Sequence, residues 1–456
     1  MKRRELLRMA VPLVAARWAI AEPDLKLVLR GGRWFSQGRW QTGEIGVDLA
    51  GRLRFGTGLR APVELDITDR VLAPGFIDIL ADNSTNPGKT FRIFEKYKVS
   101  DGVTTALQMH GGSADCADYY ARASTLAHSI NYGVSTFVIV IRSRAAGLRE
   151  RLRLVEQNLD AGALGVSHSL EYQPTPFDEV LQYAKVAKRY DRPLFLHLRY
   201  SSAQQELEGV AEAVRFAEQS GARVHIDHLH STGGTFQMEA ALDCIRSANA
   251  RGLVVTTCVY PYSYWATYLH STRFNAGWQD RYGLSYGDLQ VVGTGERLTA
   301  ESFARYRKTV TLVAVPAGTL PLERTFDLAV REDFCMIGSD GGIQFEPKAN
   351  SHPRGAGCFA TAIRRALNTG MSLERILEKM TALPRSVVRP ALDSRGALDS
   401  GAIADLTVFD PATIRGNASL DNPNQFSSGI DLVLVGGELA YQTGRLMGKN
   451  GKPIRC

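Results

Sequence analysis

Between Val71 and about Asn368 the chain repeats one pattern eight times: an apolar run of strand length, in most cases followed by residues with helical spacing. The runs are VLAPGFIDIL, VTTALQMH, STFVIVI, ALGVSHS, PLFLHLR, RVHIDHL, LVVTTCVY and FCMIGSDG. Eight such units predict an α/β fold, a (β/α)8 barrel in which parallel strands are covered by an outer ring of helices. DEVLQYAKVAKRY, after Pro176, shows the helical half of a unit, with Val180, Ala184, Val186 and Ala187 on one face and charges on the other. The 456 residues suit one barrel plus a smaller domain. With 44% hydrophobic and 22% charged residues the chain is neither disordered, collagen-like nor a coiled coil.

The flanks differ in character. LKLVLRGGRWF, EIGVDLAGRLRFG and VELDIT are short glycine-broken strands near the start, and ADLTVFD and IDLVLVGGELAY are β-like segments near the end. We therefore expect a composite β-sandwich from residues 22–70 and 400–456 and a barrel over 71–399. Weak periodicity and Trp278, Tyr282 and Tyr286 mark an excursion at about 274–316, read as a lid. Residues 1–21 read as a twin-arginine-type export signal: Arg3 and Arg4 precede a short apolar stretch ending in Ala19-Ile20-Ala21. The competing reading is a basic amphipathic first helix. A membrane anchor is not expected, since the apolar stretch falls short of the roughly 20 residues needed to cross a bilayer.

The signal reading places the protein in the periplasm or outside the cell. It also removes Lys2, Arg3, Arg4, Arg8 and Arg17 against Glu5, so most of the formal charge of +7 belongs to the signal. What remains is nearly neutral, with no basic stripe or recognition motif for nucleic acid. The six cysteines form no CxxC pair, which argues against a zinc ribbon, a dithiol redox site or a disulfide scaffold.

Of nine histidines, His110, His197 and His228 fall at the C-terminal ends of predicted barrel strands, and Asp340 in GSDGG ends a fourth. Active sites of such barrels lie at that end. Imidazole and carboxylate groups on separate strands can converge there on one divalent cation and leave a coordination position open. Each histidine alone reads as a packing residue; the four together read as a shared site. His225, three positions before His228, is expected to point away from that face.

APGFID (73–78), GVTT (102–105), GGS (111–113), GALGVSHSLEYQP (162–174), FLHLR (195–199), YPY (260–262), GSDGG (338–342), HPRGAG (352–357) and ADLTVFDP (404–411) occur in this order. Together they resemble the amidohydrolase superfamily, and within it the N-acyl-D-amino-acid deacylase branch, over about residues 25–445. The resemblance implies a distorted barrel, a β-sandwich built from both termini, and a metal-dependent hydrolase of a small molecule carrying an amide and a carboxylate. One divalent ion, zinc, is the implied cofactor, with His110, His197 and His228 as ligands. Asp340 matches the family's aspartate, which takes a proton from the attacking water and returns it to the leaving amine.

The departures from the family pattern are specific. Its HxH after the first strand is replaced by Leu80-Ala81-Asp82, and the cysteine or glutamate at the second strand end is replaced by His110. Asp82 stands as a further oxygen ligand or as a capping residue. Resemblance places Arg199, His230, Tyr260 and Tyr262 at the substrate carboxylate, with histidine at 230 where the family has lysine. Glu171 and Arg354 match pocket-wall motifs, with loop anchoring as the other reading. The replacements keep two further readings open: a non-hydrolytic lyase, isomerase or cyclase with one or no metal, and an exported binding protein without chemistry. Oligomeric state is not legible.

Overall fold

The computed structural model describes residues 24–81, 87–316, 318–341 and 352–456; the signal segment and Asp82 lie outside the described residues. Eight strands run parallel in chain order: Phe76–Asp78, Val103–Ser113, Asn131–Phe137, Val166–Ser169, Leu194–His197, Val224–Ile226, Val255–Val259 and Cys335–Ile337. They are the first to eighth strands of a nearly closed barrel, the fold expected from the sequence. Alternation sorts their side chains. Ile77, Leu107, Met109, Phe195, Cys258 and Met336 fill the interior, whereas Ala106, Val134, Leu196, Ile226 and Ile337 face the outer helices.

At the seam between first and eighth strands, the Asp340 N–H donates to the Leu80 carbonyl at 2.7 Å. Ser339 donates to Asp78 through its N–H and its hydroxyl, at 3.0 and 2.6 Å. The Lys98 ammonium bridges Asp78 and Ser339 at 2.6 and 2.8 Å. Both charges of this pair are buried, so each depends on the other for solvation.

Two runs fold differently from their appearance in the sequence. VLAPGFIDIL is not one strand: Val71–Pro74 pairs with Leu406–Phe409 in the outer sheet, and only Phe76–Asp78 enters the barrel. The break falls at Gly75, where a Cβ would lie 2.2 Å from the Thr104 hydroxyl. In STFVIVI the strand ends at Phe137, and Val138–Arg144 is helical despite its β-branched residues. Helical spacing buries Val138 and Ile141 together, and that packing overrides propensity.

Strands from both ends of the chain join in a nine-stranded sheet, and the two ends meet where Val71–Pro74, beside Leu25–Ser36, pairs with Leu406–Phe409. Leu27, Leu29, Ile45, Val47, Leu406, Val408, Leu432 and Leu434 form its own core. Between the seventh and eighth strands, Ala266–Tyr268, Gln290–Val291 and Leu312–Ala314 make a small antiparallel sheet. Among the described residues no helix is long and apolar enough to cross a membrane.

The second strand carries the irregularity that matters for the site. From Gln108 to Ser113 it takes five steps while its neighbour takes two, from Val134 to Thr136. This bulge turns His110 inward, although alternation from Met109 would turn it out. Ser135 and Ser167 hydroxyls donate to the carbonyl of Gly111 and hold the bulge. Gly112 has φ +94°, and a Cβ there would lie 2.2 Å from the Ser135 carbonyl oxygen. Gly112→Ala is therefore expected to lower the unfolding free energy by at least about 2 kcal/mol, from backbone strain and overlap together. Urea unfolding of the variant checks this, and a change below about 0.5 kcal/mol contradicts the structural role of the bulge.

Candidate active site

His197 ends the fifth strand and faces inward with Phe195, two positions earlier. His228 follows the sixth strand with φ +26° and ψ +59°. That left-handed step is rare for a residue bearing a Cβ and reverses the expected parity. His225 therefore shares the interior with His228: it lies beside Phe195, 4.8 Å between ring centres, and its Nδ1 bonds Thr256. The expectation that it faces away is wrong because the strand does not stay regular. His225 remains apart from the site because it lies deeper along the strand.

His110, His197 and His228 present ligand atoms all within 4.8 Å of one another, the one such cluster among the described residues. His197 Nδ1 and His228 Nε2 are 3.2 Å apart. Two nitrogens bound to one tetrahedral zinc at about 2.0–2.1 Å would lie about 3.3 Å apart, so the pair fits a shared cation. His197 Nε2 meets Glu171 at 2.9 Å, and His110 Nδ1 meets Asp227 at 2.9 Å. Each carboxylate accepts the N–H of its histidine and leaves the opposite ring nitrogen as the available lone pair. Burial pushes the His197 pKa down to about 4, opposed by Glu171, and holds His228 well below the ordinary value. For His110, burial opposes protonation but the Asp227 hydrogen bond and charge outweigh it, and the net shift is upward. The donor set suits a divalent cation: three buried imidazoles with carboxylates behind two of them.

Asp340 follows the eighth strand with φ +47°, and its Oδ2 is 3.9 Å from His228 Nε2. Arg354, from the N-terminus of helix Arg354–Asn368, reaches the same oxygen at 3.0 Å and lies 4.8 Å above the Tyr260 ring. Tyr260 in turn meets His230 edge-on at 4.0 Å. His230 is wholly buried, neither ring nitrogen has a hydrogen-bond partner among the described residues, and burial pushes its pKa down to about 3. It is a neutral group at physiological pH, not the stand-in for a lysine charge.

The structure thus brings His110, His197, His228, Asp340, Glu171, Arg354, His230 and Tyr260 together at one barrel mouth. Arg199 is not available there. Its guanidinium forks onto Glu212, at 2.9–3.2 Å, and donates to the Thr175 carbonyl, so the expected carboxylate contact is replaced by an internal ion pair. Tyr262 directs its hydroxyl toward Gly357 on the outer helix, with only its ring near His352. Leu80, where the resemblance expects a histidine, is packed in the barrel interior beside Cys258.

Two residues of the site escaped the sequence reading. Asp227 directly precedes a site residue, and strand alternation would place its side chain opposite that of His228. Arg273 comes from the excursion before the eighth strand. It is buried against Trp265, donates to Glu171 Oε2 at 2.8 Å and to the Ser231 carbonyl at 2.9 Å. Burial alone would raise the Glu171 pKa, but Arg273 and His197 bring it down to about 2. Arg273 also lines a small cavity of about 10 Å³ with Ser201, Phe236, Trp265 and Tyr282. The sequence of that segment, which lacks helical periodicity, carries no signal for it.

Residues 98–440 match the model of the Amidohydrolase family. N-acyl-D-glutamate deacylase from Alcaligenes xylosoxydans xylosoxydans is 28% identical, over 91% of this chain and 93% of its own length. D-aminoacylase from the same organism is 26% identical over 86% and 88%. Among solved structures, N-acyl-D-glutamate deacylase from Bordetella bronchiseptica, complexed with zinc and a phosphonate inhibitor, superposes with a TM-score of 0.82 at 24% identity, covering 95% of this chain and 100% of that one. A D-aminoacylase structure gives 0.80 at 20% identity, covering 94% and 99%. The shared barrel, the histidines at its mouth and the match over most of the chain lead to one conclusion: the chain belongs to the amidohydrolase family, hydrolases of carbon–nitrogen bonds other than peptide bonds.

Proposed function

We propose that the protein hydrolyses the amide of a small N-acyl amino acid, with one zinc ion held by His110, His197 and His228 and with Asp340 as proton carrier. The observation that carries this reading is the 4.8 Å convergence of three histidines from three strands, with the Asp340 carboxylate 3.9 Å from one of them. The D configuration rests on the relatives, which include deacylases of N-acyl-D-glutamate and N-acyl-D-aspartate. A single ion is favoured because Leu80 fills the first-strand ligand position with a hydrocarbon side chain. Export rests on the N-terminal signal pattern alone.

When bound, the ion supplies Lewis acidity, polarising the scissile carbonyl and making water acidic enough to ionise near neutral pH. The residues of the chain do the rest. Asp340, 3.9 Å from His228 Nε2, would take the proton of the attacking water and deliver it to the departing nitrogen. Arg354 fixes the rotamer of Asp340 through Oδ2. Arg199 is held by Glu212 and His230 is neutral; Arg354 and Arg273, each also paired with one carboxylate of the site, Asp340 and Glu171, are the two buried guanidiniums at the mouth placed to meet substrate carboxylates. Trp265, Tyr282 and Phe236 give the Arg273 pocket apolar walls.

A second reading is favoured by the His110–Asp227 pair, whose 2.9 Å contact is also the geometry of an acid–base dyad in a non-hydrolytic enzyme. His110→Ala separates the two: metal kept with turnover lost selects the dyad, and metal lost selects the ligand role.

Metal analysis of zinc-replete protein is expected to give about one ion per chain, and His197→Ala to abolish it; less than about 0.2 ion in the parent chain contradicts the reading. Asp340→Asn should keep the metal and lower kcat on N-acyl amino acids by about 10²–10⁴. Arg273→Met is expected to raise KM for an acidic N-acyl amino acid at least tenfold, as loss of a charged hydrogen bond implies. An equal rise for a neutral one would deny the selectivity.

A further inference from the structure

Asp227 is buried in the barrel mouth, and its carboxylate has one protein partner among the described residues: Oδ2 meets His110 Nδ1, and Oδ1 meets nothing. A buried carboxylate used for architecture collects several donors, as Glu206 does from the backbone N–H groups of Thr235, Phe236 and Gln237. Asp227 is instead spent on one imidazole. Its backbone continues the strand, donating its N–H to the Leu196 carbonyl at 3.0 Å, so the side chain alone is specialised.

The local backbone is shaped to allow it. Asp227 and His228 are consecutive and on a regular strand would face opposite sides. The left-handed φ of +26° at His228 brings both into one chamber, where Asp227 reaches His110 and His228 reaches His197. The bulge at residues 109–112 does the same for His110. The ring centres then form a near-regular triangle, 5.4, 5.1 and 4.8 Å on its sides. Glu171 plays toward His197 the part that Asp227 plays toward His110, through the opposite ring nitrogen.

We propose that Asp227 is a positioning residue that makes His110 the third metal ligand: by accepting the Nδ1 proton it fixes the tautomer whose Nε2 lone pair is offered to the ion, and it fixes the ring plane. This rests on the three-histidine metal centre proposed above. His110 approaches along an irregular strand segment, so without Asp227 its imidazole is free to rotate or to carry its proton on Nε2, and either removes the ligand.

The test uses the full chain, stripped of metal and titrated with zinc alone against a chromophoric chelator. Asp227→Ala is expected to weaken zinc binding by about 10–100-fold, the usual cost of losing a carboxylate behind a histidine ligand, and Asp227→Glu to recover part of it. Cobalt(II) reconstitution should show a changed visible spectrum in the alanine variant, as one nitrogen leaves the coordination shell, which a purely structural loss would not produce. Wild-type zinc affinity with an unchanged cobalt spectrum in Asp227→Ala overturns the proposal. If that variant fails to fold, judged by circular dichroism of the metal-free protein, the near-isosteric Asp227→Asn carries the test. A several-fold loss of zinc affinity is then expected, and an unchanged affinity overturns it. Failure of the parent chain to bind zinc overturns the metal centre itself, and is thereby distinguished from a failure confined to Asp227.

Discussion

Alternation along a β-strand gives the barrel interior every second residue, and a cation centre at the mouth needs more side chains at one level than alternation supplies. The structure meets that demand by breaking strand regularity twice: a bulge turns His110 inward, and a left-handed residue turns His228 inward beside Asp227. Both breaks have a local cost, offset by neighbours. Ser135, Ser167 and the absent side chain at Gly112 make room for the first. The Cys258 thiol, accepting from the His228 N–H at 3.3 Å, sits under the second.

The rest of the mouth is built as paired charges. Asp340 is held by Arg354, Glu171 by Arg273 and Arg199 by Glu212, so the arginines that could meet a substrate carboxylate differ in how far they are already engaged. Beneath, the Asp78–Lys98–Ser339 group ties the eighth strand to the first and sets the position of Asp340, the next residue after Ser339. Closure of the barrel and placement of the proton carrier are therefore one arrangement.

Much of this was legible in the order of residues. The eight apolar runs mark the eight barrel strands, the DEVLQYAKVAKRY helix buries the face its spacing predicts, and the terminal β segments join in one sheet. Three histidines and an aspartate close four of the apolar runs, and that shared placement identified the mouth. The failures have a common cause. His225, Asp227, the division of VLAPGFIDIL and the helix in STFVIVI all depend on where a regular pattern stops, and periodicity carries no signal for that.

By itself the sequence determined the barrel, its composite partner sheet and the chemical character of the mouth, since these follow from patterns of burial and from residue types at strand ends. Only the tertiary structure decided which side chains are free to act. Arg199 is drawn off by Glu212, His230 is neutral through burial, Arg273 arrives from a distant excursion, and Asp227 is turned onto His110. Each outcome is a competition between partners brought together from far along the chain, so no local pattern in the sequence could have settled it.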